Sequence, residues 1–183
     1  MVIQMMTDKQ ETLKTHECGK LTKENIGQPV VLAGWASTIR DLGGIIFIEI
    51  RDRSGLFQIV GDPALNPDVH KVFSTIKTEY VIKVSGKVTQ RPEETYNPNH
   101  QTGLIEMHPD SVEILNKSKV TPFVLDDDSE VNEDLRMKYR YLDLRRPKIL
   151  NNLLLRHQIT TATRSYLNNK GFIDVETPIL VKS

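Results

Sequence analysis

The chain is poor in the features that mark secreted, membrane-bound or metal-dependent proteins. It carries one cysteine, Cys18, so no internal disulfide can form. With no second cysteine and no nearby pair of histidines, Cys18 makes no metal site either. No apolar run approaches the roughly 18 residues of a membrane span, and the opening MVIQMMTDKQETLK lacks the apolar core of a signal peptide. These absences point to the cytosol and away from a membrane partner. The five histidines are scattered, without ligand or triad spacing. A basic excess is also missing. The 24 basic and 24 acidic residues cancel, and residues 28–115 hold 8 basic against 11 acidic, a net of −3. Binding of nucleic acid by bulk phosphate attraction needs a basic face. Any such binding here therefore rests on a few placed groups.

What is present is periodic. The 38% hydrophobic content is lean but concentrated in patterned segments, enough for a packed core. The most ordered pattern runs from Gly34 to Val60. Ile46, Ile48 and Ile50 alternate with Phe47, Glu49 and Arg51, the period of a strand with one buried and one wet face. Asp52, Arg53, Ser54 and Gly55 form a turn cluster before a second short run, Leu56–Val60, which predicts a β-hairpin. A four-residue loop sets Arg51 opposite Leu56, Glu49 opposite Gln58 and Phe47 opposite Val60. Phe47 and Gln58 are then diagonal neighbours on one face, roughly 7 to 8 Å apart. An aromatic ring beside a carboxamide can stack a base and read its edge. A register slip of one residue would send Gln58 to the other face.

The remaining elements follow from punctuation and period. Residues 1–13 have no period and are expected to be a flexible leader. A first strand is expected over Pro29–Ser37, with Gly43 and Gly44 turning the chain into the hairpin. Asn66-Pro67 announces a helix bearing Val69, Val72, Phe73 and Ile76. A fourth strand, Tyr80–Gln90, alternates Ile82, Val84 and Val88 with Lys83 and Lys87. A fifth, Leu104–Leu115, is expected to be interrupted at Pro109-Asp110. Five strands with a helix between the third and fourth is the order of an OB barrel, whose second and third strands commonly face single-stranded nucleic acid. Other small Greek-key barrels share much of that order. Residues 14–115 are assigned to this mainly β domain and 116–146 to a linker or hinge. Asp126-Asp127-Asp128 within it reads as a solvated start to a helix near Asn132 rather than a metal site. A long helix from Pro147 places Leu150, Leu153, Leu154, His157 and Ala162 near one face and stops at Gly171. The run Phe172–Val181 is strand-like with Pro178 inside it, which suits an edge or interface.

Three stretches carry a family resemblance. GFIDVETPIL, from Gly171 to Leu180, resembles motif 1 of class II aminoacyl-tRNA synthetases, a long helix and a strand ending in a proline at a dimer interface. RYLDLRRP, from Arg140 to Pro147, is similar to the segment joining the two domains in the aspartyl, asparaginyl and lysyl subgroup. KTHECG, the Gly34-Trp35 pair and RDLGGIIFIEIRDRSG resemble the bacterial-type aspartyl enzymes. The resemblance implies an OB anticodon-binding domain, a hinge, and the first helix and strand of an α+β catalytic domain over 147–183. The motifs that hold ATP would follow Ser183, so the chain is expected to be an N-terminal fragment with no catalytic residue and no metal or cofactor of its own. ATP and Mg2+ would belong to the intact homodimeric enzyme, with Pro178 at its interface and the tRNA(Asp) anticodon loop as partner.

Position by position, the resemblance makes Phe47 the ring that stacks on the central anticodon base and Gln58 the amide that reads it. Arg40 becomes a basic contact, while Arg91 and Glu106 read the flanking bases. One departure is that Thr38 and Ile39 precede Arg40 where the family often has a basic cluster. Each residue also has a plainer reading. Phe47 could cover a cross-strand neighbour; Arg40 and Arg51 could pair with Asp41 or Glu49; Glu106 could be a solvent-facing strand residue. Trp35 reads as core. Two other functions fit the pattern: a free-standing OB module for single-stranded nucleic acid, which would tolerate many sequences, and a dimerisation fragment built on the apolar helix after Pro147.

Overall fold

The computed structural model describes residues 13–178. The expected leader lies outside them apart from Leu13, as do Leu180 and Val181. Two compact units meet in sequence between Val120 and Thr121.

The first unit is a closed barrel of β1 (Pro29–Leu42), β2 (Ile45–Asp52), β3 (Gly55–Gly61), β4 (Val81–Gln90) and β5 (Ile105–Asn116), with α1 (Pro67–Phe73) between β3 and β4. Around the barrel the order is β1-β2-β3-β5-β4. Closure needs β3 and β5 to run parallel, with Ile59 beside Met107. The mainly β reading therefore holds, and the inward faces explain why. Ile46, Ile48 and Ile50 meet Phe57 and Ile59, and Leu32, Ile82, Val84, Val88, Ile105 and Met107 complete one core, each supplied by period-2 alternation.

The hairpin register is the expected one, with Arg51 opposite Leu56, Glu49 opposite Gln58 and Phe47 opposite Val60. Its loop is shorter than expected, because Asp52 and Gly55 pair and leave only Arg53 and Ser54 to turn. β1 runs on to Leu42, past the expected end at Ser37. Gly43 and Gly44, at φ 64° and 86°, then form the two-residue turn that needs left-handed backbone at both positions. β5 is not interrupted at Pro109. A register shift beside Gly86 places Pro109 opposite that glycine, and a bulge tolerates a residue without an N–H. Trp35 is also not core. Leu32 and Ala36 point inward, so Trp35 takes the outward parity opposite Arg51 and Val81 and is 36% exposed.

α1 plugs the end of the barrel. The Asn66 side chain accepts from Val69 N at 3.2 Å and Pro67 opens the helix, which caps and preorganises it. Val69, Phe73 and Ile76 are buried. A Cβ on Gly61 would lie 2.6 Å from the Phe73 ring, so that strand position must be glycine for the helix to seat.

The segment before β1 is pinned to the β2–β3 turn. Asp52 accepts from Lys14 Nζ at 2.6 Å and Cys18 N at 3.1 Å, and Ser54 Oγ accepts from Gly19 N at 2.8 Å. The Cys18 thiol is fully buried; burial and the nearby Asp52 charge push its pKa up to about 12, which keeps it unreactive.

In the second unit, α2 (Glu133–Lys138), α3 (Arg140–Asp143) and α4 (Pro147–Asn169) follow in order. Asn132 caps α2 by accepting from Asp134 N at 2.8 Å. Asp143 is fully buried and accepts from Arg136 Nε at 2.9 Å and Arg140 Nη1 at 2.6 Å, with Arg146 Nη1 3.7 Å away. Arg146 donates to the carbonyls of Asp126 and Ser129 at 2.6 and 2.9 Å. The acidic run thus serves a later helix than expected. The Asp127 carboxylate accepts from Lys148 N at the start of α4, where it meets free backbone N–H groups and the positive end of the dipole. Leu150, Leu153 and Leu154 on α4 are exposed. The expected last strand does not form over residues 172–178, because a strand needs a ladder partner and none is present among the described residues. Pro178 is exposed there. No described helix is long and apolar enough to cross a membrane.

The Asp52 cluster predicts an acid-sensitive clasp. Burial would raise the carboxyl's pKa, but the donors from Lys14, Ser54 and the backbone lower it to about 2. A depressed carboxyl contributes stability that is complete above its unfolded value near 4 and is lost as pH falls through about 2. Thermal unfolding of the native chain and of Asp52→Asn should therefore differ at pH 7 by on the order of 2 kcal/mol, with the difference shrinking below about pH 4 and vanishing only below about pH 2.

Candidate nucleic-acid interface

The outer faces of β1, β2 and β3 form one patch. Arg40 pairs with Phe47 across β1 and β2, Phe47 with Val60 and Glu49 with Gln58 across β2 and β3. Outward parity is shared along these rows, so Arg40, Phe47, Glu49 and Gln58 lie together. Parallel pairing at Ile59–Met107 brings the residues just before them, Gln58 and Glu106, into contact. Gln58 Nε2 donates to Glu106 Oε2 at 2.9 Å, and both are buried. Arg40 Nη2 donates to Gln58 Oε1 at 3.2 Å. Arg91 Nε lies 3.9 Å from Glu106 Oε2 and donates to Ile105 O at 3.0 Å. All five residues singled out in the sequence are therefore on one face, four of them in a continuous chain of contacts and Phe47 directly beside it.

The orientation of Gln58 follows from its partners. A carboxylate only accepts, so the amide nitrogen must face Glu106; the guanidinium only donates, so the amide oxygen must face Arg40. One N–H and one lone pair of the carboxamide remain for a ligand. Phe47 is half-buried and offers part of its ring for stacking. Arg40 also donates to Glu49 at 3.4 Å, so the surface ion pair expected from the sequence exists alongside its place in the site. With Arg40 48% exposed, that pair is weak and replaceable by a ligand phosphate.

Two plainer readings fail. Glu106 does not face solvent; it is 5% exposed, with Gln58, Arg91 and His108 gathered around its carboxylate. Arg51 pairs with neither Asp41 nor Glu49 but with Glu79, at 2.6 Å, a partner 28 residues away that no local spacing reveals. Burial lowers the pKa of the Arg91 guanidinium, opposed by Glu106 and Glu49 and aided by Arg40. It stays charged, as arginine does in proteins. The patch holds two arginines against two glutamates, matching the absence of a basic excess. Sequence reasoning missed His108, whose Nε2 is 3.5 Å from Glu106 Oε1. Its spacing of two from Glu106 put it on the same strand face.

Comparison with known proteins places each unit. Residues 30–115 match the model for the OB-fold nucleic acid binding domain, and residues 132–183 match that for tRNA synthetases class II (D, K and N). An aspartate--tRNA(Asp/Asn) ligase of Desulfatibacillum aliphaticivorans is 51% identical over 170 residues, 93% of this chain and 28% of that protein. An aspartate--tRNA ligase of Bacillus licheniformis is 48% identical over 171 residues, 93% of this chain and 29% of that protein. The chain thus spans under a third of the length of these relatives. The crystal structure of asparaginyl-tRNA synthetase from Pyrococcus horikoshii complexed with asparaginyl-adenylate matches with a TM-score of 0.78 at 26% identity, covering 91% of this chain and 37% of that one. With an OB barrel at residues 30–115 and a synthetase segment at 132–183, the chain belongs to the class II tRNA synthetases of the aspartate, lysine and asparagine group.

Proposed function

We propose that this chain is the anticodon-recognising part of an aspartate–tRNA ligase and that it binds the anticodon loop of tRNA(Asp) on the β1–β2–β3 face. The observation that carries the reading is the chain Arg40–Gln58–Glu106–Arg91 beside the half-exposed Phe47 ring. Unpaired loop bases can be splayed, stacked on an aromatic ring and hydrogen-bonded at their edges. Phe47 stacks the central base and Gln58 reads it with its remaining donor and acceptor. Arg91 and Glu106 read the flanking bases, and Arg40 holds both Gln58 and a phosphate. In the intact ligase, ATP would activate the aspartate carboxyl for transfer to the tRNA. Magnesium and ATP belong, in this reading, to the intact ligase. The exposed apolar side chains of α4, with Pro178, suit pairing with a second copy in a cytoplasmic homodimer.

The test is titration of the chain, at one stated salt concentration, with a labelled anticodon stem-loop carrying GUC and with loops changed at each base. Preference for GUC supports the reading; equal binding to every loop replaces it with a sequence-tolerant OB module. A loop carrying GUU, the tRNA(Asn) anticodon, asks whether the third base is discriminated.

Phe47→Ala should weaken binding of every loop by about 1 to 3 kcal/mol, whereas Gln58→Ala should mainly relax the choice at the central base. Equal losses across all loops for both variants would contradict that division. Few phosphate contacts also predict a shallow salt dependence. Replacing Arg40 by alanine should reduce the slope of log K against log salt by about 0.7, one single-strand phosphate contact. An unchanged slope would remove Arg40 from the phosphate.

A further inference from the structure

β1 changes register halfway along. Up to Ala36, opposite Ile50, it pairs with β2 in one frame; from Thr38, opposite Glu49, it pairs in the next. Ser37 and Thr38 together face Glu49, a bulge of one extra residue. This shift decides which side chains reach the candidate interface. In the first frame Arg40 would lie opposite Ile46, which is 5% exposed and part of the core, and Ile39 would face outward. In the observed frame Ile39 lies opposite Ile48 and Arg40 opposite Phe47. The bulge therefore moves the guanidinium from the core side of the sheet to the side that carries Phe47 and Gln58.

The bulge is held by groups that lie outside the candidate interface. Arg51 Nη1 donates to Ser37 Oγ at 3.2 Å, and Arg51 Nη2 donates to Glu79 Oε1 at 2.6 Å. The Glu79 side chain is 6% exposed and that of Arg51 22%. Glu79 N donates to Ala36 O at 2.7 Å and Ala36 N to Tyr80 O at 2.8 Å, clasping the last residue before the bulge. Glu79 is also the one described non-glycine residue with positive φ, at 66°. A left-handed backbone at a glutamate is unfavourable and persists only where its surroundings over-determine it. Here the ion pair and the two backbone bonds do so.

We propose that Glu79, Arg51 and Ser37 are positioning residues for nucleic-acid recognition, forming a latch that fixes the β1 bulge and so aims Arg40 at Gln58. The latch touches no ligand. It acts through Arg40, whose donation to Gln58 Oε1 keeps the amide oriented for reading. A purely structural role would cost stability without regard to Arg40. A positioning role couples to it.

The RNA readout of this proposal rests on the anticodon reading above, and a second readout does not. Glu79→Gln and Ser37→Ala are each made in the native chain and in the Arg40→Ala background, and titrated with the GUC stem-loop and its central-base variant. In the native background each should lower affinity and central-base discrimination, by about three- to tenfold for Glu79→Gln. In the Arg40→Ala background neither should lower them further. The same fold loss in both backgrounds overturns the proposal. Independently of RNA, the side-chain NMR signals of Arg40 Nε–H and Gln58 Nε2–H2 should shift in both variants, while those of Asn66, the N-cap of α1, stay in place. Unmoved Arg40 and Gln58 signals overturn the latch whether or not RNA binds, whereas a native chain that binds no loop, with these shifts present in its variants, overturns only the anticodon reading. Should Glu79→Gln fail to fold, Ser37→Ala, which keeps the ion pair and removes one hydroxyl, decides by the same two readouts.

Discussion

A closed barrel of five short strands gives each side chain two destinations, the core or the outer surface, and a shift of one residue exchanges them. Everything else in the first unit depends on this constraint. Ile46, Ile48 and Ile50 of β2 and Phe57 and Ile59 of β3 fill the interior because their alternation matches the pleat. Phe47, Glu49 and Gln58 are outside for the same reason. Where the register changes, the chain inserts a bulge, once in β1 at Ser37 and twice along the β4–β5 pairing, near Pro109 and at Leu115. The bulges at Ser37 and near Pro109 lie on the strands that contribute Arg40 and Glu106 to the candidate interface.

Within that face, electrostatics favour reading over grip. Glu106 is a nearly buried carboxylate, which is costly unless it is hydrogen-bonded and paired. Gln58 and Arg91 meet that need and are themselves oriented by it, so the groups that would meet a base are preorganised by one another. Their charges nearly cancel, leaving little long-range attraction for phosphate. Such a surface discriminates by hydrogen-bond matching, since a wrong base leaves a buried donor or acceptor without a partner. A similar arrangement holds the second unit together, where buried Asp143 gathers Arg136 and Arg140 and lies close to Arg146. There the arginine cluster gives shape to a segment with few buried apolar residues.

Much of the barrel was legible in the amino-acid order. The period of two in Ile46–Arg51, the turn cluster at Asp52–Gly55 and the Asn66-Pro67 cap are local signals, and they returned the hairpin register and α1 correctly. The site was legible in its members but not in its connections. Phe47 and Gln58 could be set on one face from the hairpin alone. Arg91 and Glu106 entered through family resemblance, and His108 not at all. The misreadings share a cause: Trp35, Glu106 and the partner of Arg51 were judged from their own strand, whereas their burial and pairing depend on strands or loops far away in the chain.

The sequence by itself therefore determined the existence of the five barrel strands, most of their inward faces, the hairpin register and the helix starts, because each follows from interactions within about ten residues, and its composition gave the lack of a basic excess. The tertiary structure alone decided that Gln58 meets Glu106 across a parallel pairing 48 residues apart, and that Glu79 reaches back to Arg51. It also decided that a bulge turns Arg40 outward. Those contacts arise from closing the barrel, and closure is a property of all five strands at once that no local period encodes.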